Sequence, residues 1–284
     1  MISAPSSVRS YAYGTDPSQR LDVLDSPVRG VNRPVIIYVH GGAFAGGTRL
    51  DVRDLVRASL QRGYVVVSID YRLAPANPFP QPVWDVNQAV RWVQAHAAEF
   101  GIDPAQVFLW GHSAGATLAA TAAYGATTPS LIAPNLPREL LAQTGEVIGV
   151  VNEAGVMDLG QWAEYRGFGS GATPAELVGR YLGCPANGTW QGCTPAQLAA
   201  GNPMTYVKRT SPATYTIHGV QDGIVLSQIG TDFALHFAQA TEVGMSWYDR
   251  VDTGPAACQN HVPDACANVS ELFKFLAWQR PEPV

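Results

Sequence analysis

The stretch Val107-Phe108-Leu109-Trp110-Gly111-His112-Ser113-Ala114-Gly115-Ala116-Thr117-Leu118-Ala119-Ala120 decides how the rest of the chain is read. Its first four residues are apolar, two of them aromatic, and read as a buried strand. The alanine-rich run after Ser113 reads as a helix. Between them stands Gly-x-Ser-x-Gly. A sharp turn there lifts the serine hydroxyl above the end of the strand, and the flanking glycines let strand and helix pass closely. The competing reading is a glycine-rich turn with an idle serine.

On either side of this stretch, short apolar runs rich in Val, Ile and aromatics occur at 35–39, 64–69, 147–151, 213–217 and 245–251, with 107–110 among them. Near-continuous hydrophobicity marks strands covered on both faces. Helical patterns fill 51–62, 84–98, 114–124, 226–240 and 269–279; in the second, Val86, Val90, Val93 and Ala97 recur at helical spacing. This alternation predicts an α/β fold, a mostly parallel central sheet with helices on both faces. Segment 11–23 is expected to supply antiparallel edge strands first. The rhythm breaks at 157–206, rich in Gly, Pro and Thr, with helical pieces at 174–182 and 195–200. We read it as a small cap inserted over the C-terminal edge of the sheet. Residues 1–284 then form one domain.

The chain of 284 residues has 14% charged residues and a net charge of −5. An average soluble domain carries about 25% charged residues. Ordinary apolar content excludes a solvated disordered chain. With only two lysines, Lys208 and Lys274, and no basic run, nucleic acid and anionic membranes are poor partners. No charged residue lies between Asp103 and Arg138. That gap contains Gly111, His112, Ser113, Gly115 and prolines including Pro104, Pro129 and Pro134, so it reads as buried interior and not as a membrane span.

A hydroxyl is a poor nucleophile near neutral pH, so Ser113 needs a base, and the base needs an orienting acid. His96 and His236 fall within helices. His112 adjoins the serine, where the turn is expected to point neighbouring side chains apart. His40 and His218 each end a strand before a glycine and look like loop-shaping residues. His261 lies beyond the last strand, in reach of the sheet's C-terminal edge, and is the expected base. Asp222, just beyond a strand, is the expected acid, with Glu153 as competitor. The order Ser113, Asp222, His261 is that of one family of serine hydrolases. His261 acts only when neutral, so activity is expected to fall below about pH 6–7. His40-Gly41-Gly42-Ala43-Phe44 supplies small residues whose N–H groups approach a developing oxyanion, and the helix start at Ala114 offers another donor.

These motifs, with Asp70-Tyr71-Arg72-Leu73-Ala74-Pro75, resemble in order the α/β-hydrolase superfamily, in particular carboxylesterases with an HGG-type oxyanion loop. The short N-terminal region before His40 brings the resemblance nearest to the bacterial feruloyl-esterase-like and kynurenine-formamidase-like branch. The resemblance implies a serine hydrolase that cleaves small-molecule carboxylic esters through an acyl-enzyme. It implies oxyanion donation from the amides of Gly42, Ala43 and Ala114, and calls for no cofactor or metal. Asp70 and Arg72 are expected to form a structural ion pair. The alternatives are an amide or formamide hydrolase with the same triad and a non-catalytic binding protein on this scaffold.

Four cysteines allow three pairings. The local one, Cys184–Cys193 with Cys258–Cys266, would clamp the cap and the His261 loop; four free thiols are the alternative. No signal peptide is visible at the start of the chain. Paired cysteines would imply an extracytoplasmic or secreted protein whose leader is already removed, with a cytoplasmic location as the alternative.

Overall fold

The computed structural model describes residues 4–166, 171–184, 189–242, 247–251, 260–261, 263 and 267–280. Eight strands form one sheet: β1 (Ser7–Ala12), β2 (Arg20–Asp25), β3 (Arg33–Val39), β4 (Val65–Ile69), β5 (Ile102–His112), β6 (Gly149–Glu153), β7 (Ala213–Gly219) and β8 (Trp247–Val251). Their spatial order is β1-β2-β4-β3-β5-β6-β7-β8. β1 and β2 are antiparallel, β2 runs antiparallel to β4, and every later pairing is parallel.

Strand β3 shows why the apolar runs are continuous. Val35, Ile37 and Val39 face one core, which takes in the Gln81–Ala95, Ala114–Tyr124 and Ser227–Ala240 helices. Ile36 and Tyr38 face the other, closed by Leu55 and Val56 and by Leu272, Phe275 and Leu276 of the Val269–Trp278 helix. Both faces are therefore dry, and alternation with polar residues would leave uncompensated groups inside. The uncharged stretch sits at the centre: β5 lies between β3 and β6, and all eleven residues of the Ala114–Tyr124 helix are buried.

Two expectations change in detail. The expected helix at 84–98 starts earlier, at Gln81, with Pro82 in its first turn, and breaks at His96 before a short Ala97–Phe100 helix. Asp70 and Arg72 do not pair with each other. Arg72 forks onto Asp85, with Nη2–Oδ1 at 2.6 Å and its backbone N–H donating to Oδ2 at 2.8 Å. Asp70 instead accepts from the Arg49 backbone N–H at 2.6 Å and from Arg49 Nη1 at 2.5 Å. The reason is burial: Asp85 is fully enclosed, and a buried carboxylate requires a bidentate cation more than a half-solvated one does.

Between β6 and β7, the 157–206 segment carries helices Leu159–Ala163, Pro174–Leu182 and Pro195–Gly201. Capping boxes start the last two, Thr173 with Glu176 and Thr194 with Gln197. Cys184 and Cys193 form a disulfide with Cα atoms 4.9 Å apart. Cys258 and Cys266 lie outside the described residues. Among the described residues no helix is long and apolar enough to cross a membrane.

Candidate active site

The C-terminal ends of β3, β5 and β7 open onto one edge of the sheet, the usual place for a ligand in an open α/β sheet. At the end of β5 the chain turns at Ser113, whose φ of 54° and ψ of −127° are rarely adopted by a residue with a side chain. Its N–H donates to the Glu153 carbonyl at 2.8 Å, and its carbonyl accepts from Ala116 N at 2.9 Å. The motif glycines are required by contact. A Cβ at Gly115 would meet the carbonyl oxygens of Val39 and His40 at 2.2 and 2.3 Å, and one at Gly111 would meet Gly115 O at 2.3 Å. The helix thus crosses the strand at backbone contact, and the serine is held above both.

Ser113, His261 and Asp222 come together in one row. His261 Nε2 stands 2.9 Å from Ser113 Oγ, and His261 Nδ1 stands 2.8 Å from Asp222 Oδ2. Ser113 is 8% exposed and His261 9%, so the row is shielded yet open to solvent at one end. Asp222 turns Oδ1 to the N–H groups of Ile224 and Val225, at 2.8 and 2.9 Å. Burial alone would push its carboxyl upward. Hydrogen bonds from His218 and His261 outweigh that and hold it well below the usual carboxylate range.

The loop after β3 holds the expected oxyanion donors. Gly42, Ala43 and Phe44 have φ of +124°, +53° and +65°. Ala45 N and Gly46 N both donate to Gly42 O at 3.0 Å, folding the loop on itself. Among the described residues none accepts a hydrogen bond from the amides of Gly42, Ala43 or Ala114. His40 shapes this loop: its ring stacks on Tyr71 at 4.4 Å, and Tyr71 Oη donates to its carbonyl at 2.8 Å. Burial pushes the His40 imidazole down. No group of three or more His, Cys, Asp or Glu among the described residues is arranged to hold a metal ion.

The remaining candidates are placed elsewhere or differently. Glu153 is fully buried, but its carboxylate meets Arg53 at 3.3 Å and Trp110 Nε1 at 3.1 Å. His112 is not turned away from the site: its ring lies 5.0 Å from that of His261, and its Nε2 donates to the His261 carbonyl at 2.9 Å. His218 reaches Asp222 Oδ2 at 3.2 Å and the Val225 carbonyl at 2.8 Å through Nε2. Both partners are acceptors, so that nitrogen carries the proton. His112 was expected to point away from Ser113 and His218 to shape a loop, so neither contact was anticipated. The signal for His218 was available in its i, i+4 spacing to Asp222; that for His112 was not, since its partner is 149 residues away.

The 157–206 segment borders the site on two sides. Trp162 Nε1 donates to Ile224 O at 2.8 Å and Tyr165 Oη to Gly223 O at 3.2 Å, both in the loop of Asp222. Tyr181 stacks on Phe44 of the 40–44 loop.

Strand order, the sharp turn at Ser113 and layered helices together define an α/β-hydrolase. Solved structures of this fold include a truncated carbohydrate esterase from gut microbiota, with a TM-score of 0.78, 21% identity and coverage of 98% of this chain and 99% of that one. Another is the thermophilic esterase Est2 of Thermogutta terrifontis, with a TM-score of 0.70, 21% identity and coverage of 95% and 92%. The chain belongs to the BD-FAE family, whose sequence pattern matches residues 21–236. Among named relatives, Esterase LipC of Mycobacterium tuberculosis is 30% identical over 223 residues, which is 76% of this chain and 51% of LipC. Esterase LipQ of the same organism is 29% identical over 86% of this chain and 57% of its own length. The chain spans little more than half the length of these two relatives.

Proposed function

We propose that this chain is a carboxylic ester hydrolase that works through an acyl-enzyme on short-acyl or aromatic esters. The observation that carries the reading is the unbroken row from Ser113 Oγ through His261 to Asp222, with the serine held on a strained turn. Ser113 Oγ attacks the ester carbonyl as His261 Nε2 takes its proton. The carbonyl oxygen becomes an oxyanion facing the amides of Gly42, Ala43 and Ala114, which have no other acceptor among the described residues. His261 then gives the proton to the leaving alcohol, and the acyl group stays on Ser113. Water deprotonated by His261 releases the acid. Asp222 keeps one imidazole tautomer and stabilises the cation without taking the proton.

The 157–206 segment is proposed as a small cap, because it reaches both the 40–44 loop and the Asp222 loop. The Cys184–Cys193 bridge supports an oxidising, extracytoplasmic location; peptide mapping of protein from its native compartment without reductant tests it, and free thiols there would reject it.

The activity is tested with a panel of aryl and alkyl esters from acetyl to long acyl, with feruloyl esters, aromatic polyester fragments and aryl formamides. Turnover of the esters and its loss in Ser113→Ala, with unchanged unfolding, is the expected result. Formamides turned over faster than every ester would move the reading to an amide hydrolase. A structure of Thermogutta terrifontis esterase 2 is described as phosphorylated by paraoxon. Here paraoxon is expected to place its phosphoryl group on Ser113 with release of the phenolate. An unlabelled Ser113 with no ester turnover would leave a binding protein.

A further inference from the structure

The 40–44 loop holds two non-glycine residues in succession, Ala43 and Phe44, at positive φ. Such conformations are disfavoured and persist only where the surroundings impose them. Three restraints act here. Gly42 O gathers the amides of Ala45 and Gly46, just beyond the loop. Ala74 N donates to Phe44 O at 2.9 Å. The third is a side-chain contact: the Phe44 ring lies against Tyr181, with centroids 4.0 Å apart and planes 17° from parallel, both rings being fully buried.

Tyr181 does not belong to the sheet or to the loop. It sits in the last turn of the Pro174–Leu182 helix, and that helix end is fastened from several directions. Phe79 N donates to Tyr181 O at 2.6 Å, the Phe79 ring packs edge-on at 5.9 Å, and Cys184 is bridged three residues further on. The Tyr181 hydroxyl is buried and has no hydrogen-bond partner among the described residues. What this residue contributes is therefore its ring face.

We propose that Tyr181 is a positioning residue for the oxyanion donors: by stacking on Phe44 it holds Gly42 and Ala43 in the conformation that turns their amides toward the reacting carbonyl. The proposal rests on the ester-hydrolase reading of the site. It ties the 157–206 segment to the chemical step, in addition to any contact that segment makes with substrate. The carbonyl oxygen gains from these amides only as it becomes an anion, so loss of the stack acts on kcat more than on KM.

The experiment uses the full chain with Tyr181→Phe and Tyr181→Leu. It measures thermal unfolding, labelling of Ser113 by paraoxon, and kcat and KM on phenyl acetate and on its thiono analogue, in which C=S replaces C=O. Sulfur is a weak acceptor, so the thiono ester draws little on the amides and its turnover reports the rest of the site. Tyr181→Phe keeps the ring and is expected to retain kcat within about twofold. Tyr181→Leu is expected to lose about 10–100-fold in kcat on the oxo ester with little change in KM, in line with a weakened oxyanion donor. Its preference for oxo over thiono ester shrinks by a similar factor. If Tyr181→Leu melts below the assay temperature, Tyr181→Met takes its place with the same expected outcome. Equal losses on both esters, or no loss, overturn the proposal; so does a Tyr181→Phe variant as impaired as Tyr181→Leu, which would assign the effect to the hydroxyl. Wild-type protein that neither turns over esters nor takes label on Ser113 overturns the ester-hydrolase reading and this inference together. Wild-type turnover with an unaffected Tyr181→Leu overturns the inference alone.

Discussion

Ser113 holds a backbone conformation that a side chain opposes, and the fold compensates by gripping it through the Glu153 carbonyl and the helix that follows. Such an outlier costs on the order of 1–3 kcal/mol. Glycine adopts the same φ and ψ without penalty. Ser113→Gly is therefore expected to unfold at a higher temperature than Ser113→Ala, by about 1 kcal/mol or more in chemical denaturation, while both lack turnover. Equal stabilities would mean that the turn stores no strain. Beside it, Asp222 accepts four hydrogen bonds, two from backbone amides and two from histidines. Ser113, Asp222 and His261 were expected together from their places beyond strands and from their chain order. The contact of His218 with Asp222 had a local signal in their i, i+4 spacing, whereas that of His112 had none, because its partner lies 149 residues away.

The unit formed by β5, the turn and the Ala114–Tyr124 helix depends on how closely two backbones pass. At Gly115 an added methyl meets two carbonyl oxygens of a neighbouring chain segment, and neither can swing aside as a side chain would. Gly115→Ala is expected to be destabilised by about 3 kcal/mol or more, an effect of the size reserved for core overpacking and backbone strain. A shift in the urea midpoint checks it; a near-native midpoint would show that helix and strand can part at no cost. Element types followed from hydrophobic period. Their ends did not: the helix expected at 84–98 begins at Gln81 and breaks at His96. Helix ends are decided by caps and packing partners, which a period does not encode. The Asp70–Arg72 pairing failed for a related reason. Two residues apart in sequence, each found a better partner in a segment that only folding brings near.

Across the molecule, Asp222 links the end of β7 to the loop of His261 and so joins distant parts of the chain. Its carboxyl is held below the usual range, so the folded state binds a proton there less readily than the unfolded chain does. The stabilisation is full above the unfolded carboxylate value of about 3.9 and is lost as pH falls through that value and below it. Wild-type protein is thus expected to lose more stability between about pH 5 and pH 2 than Asp222→Asn, as measured by unfolding midpoints across that range. Parallel pH curves for the two would show that Asp222 is not the linked group. The scarcity of charge has a location in the same picture. The uncharged stretch from residue 104 to 137 supplies the middle strand and a helix buried along its whole length, where an ion would lack water. Residue type and spacing along the chain were enough for the layered sheet, the sharp turn at Ser113 and the choice of Ser113, Asp222 and His261 as candidates, because period, turn chemistry and motif act over a few residues. The grip of His112 on the His261 backbone, the pairing of Arg72 with Asp85 and the stack of Tyr181 on Phe44 required the tertiary structure. Each is a contact between segments whose meeting depends on the packing of the whole chain, and no local pattern carries that information.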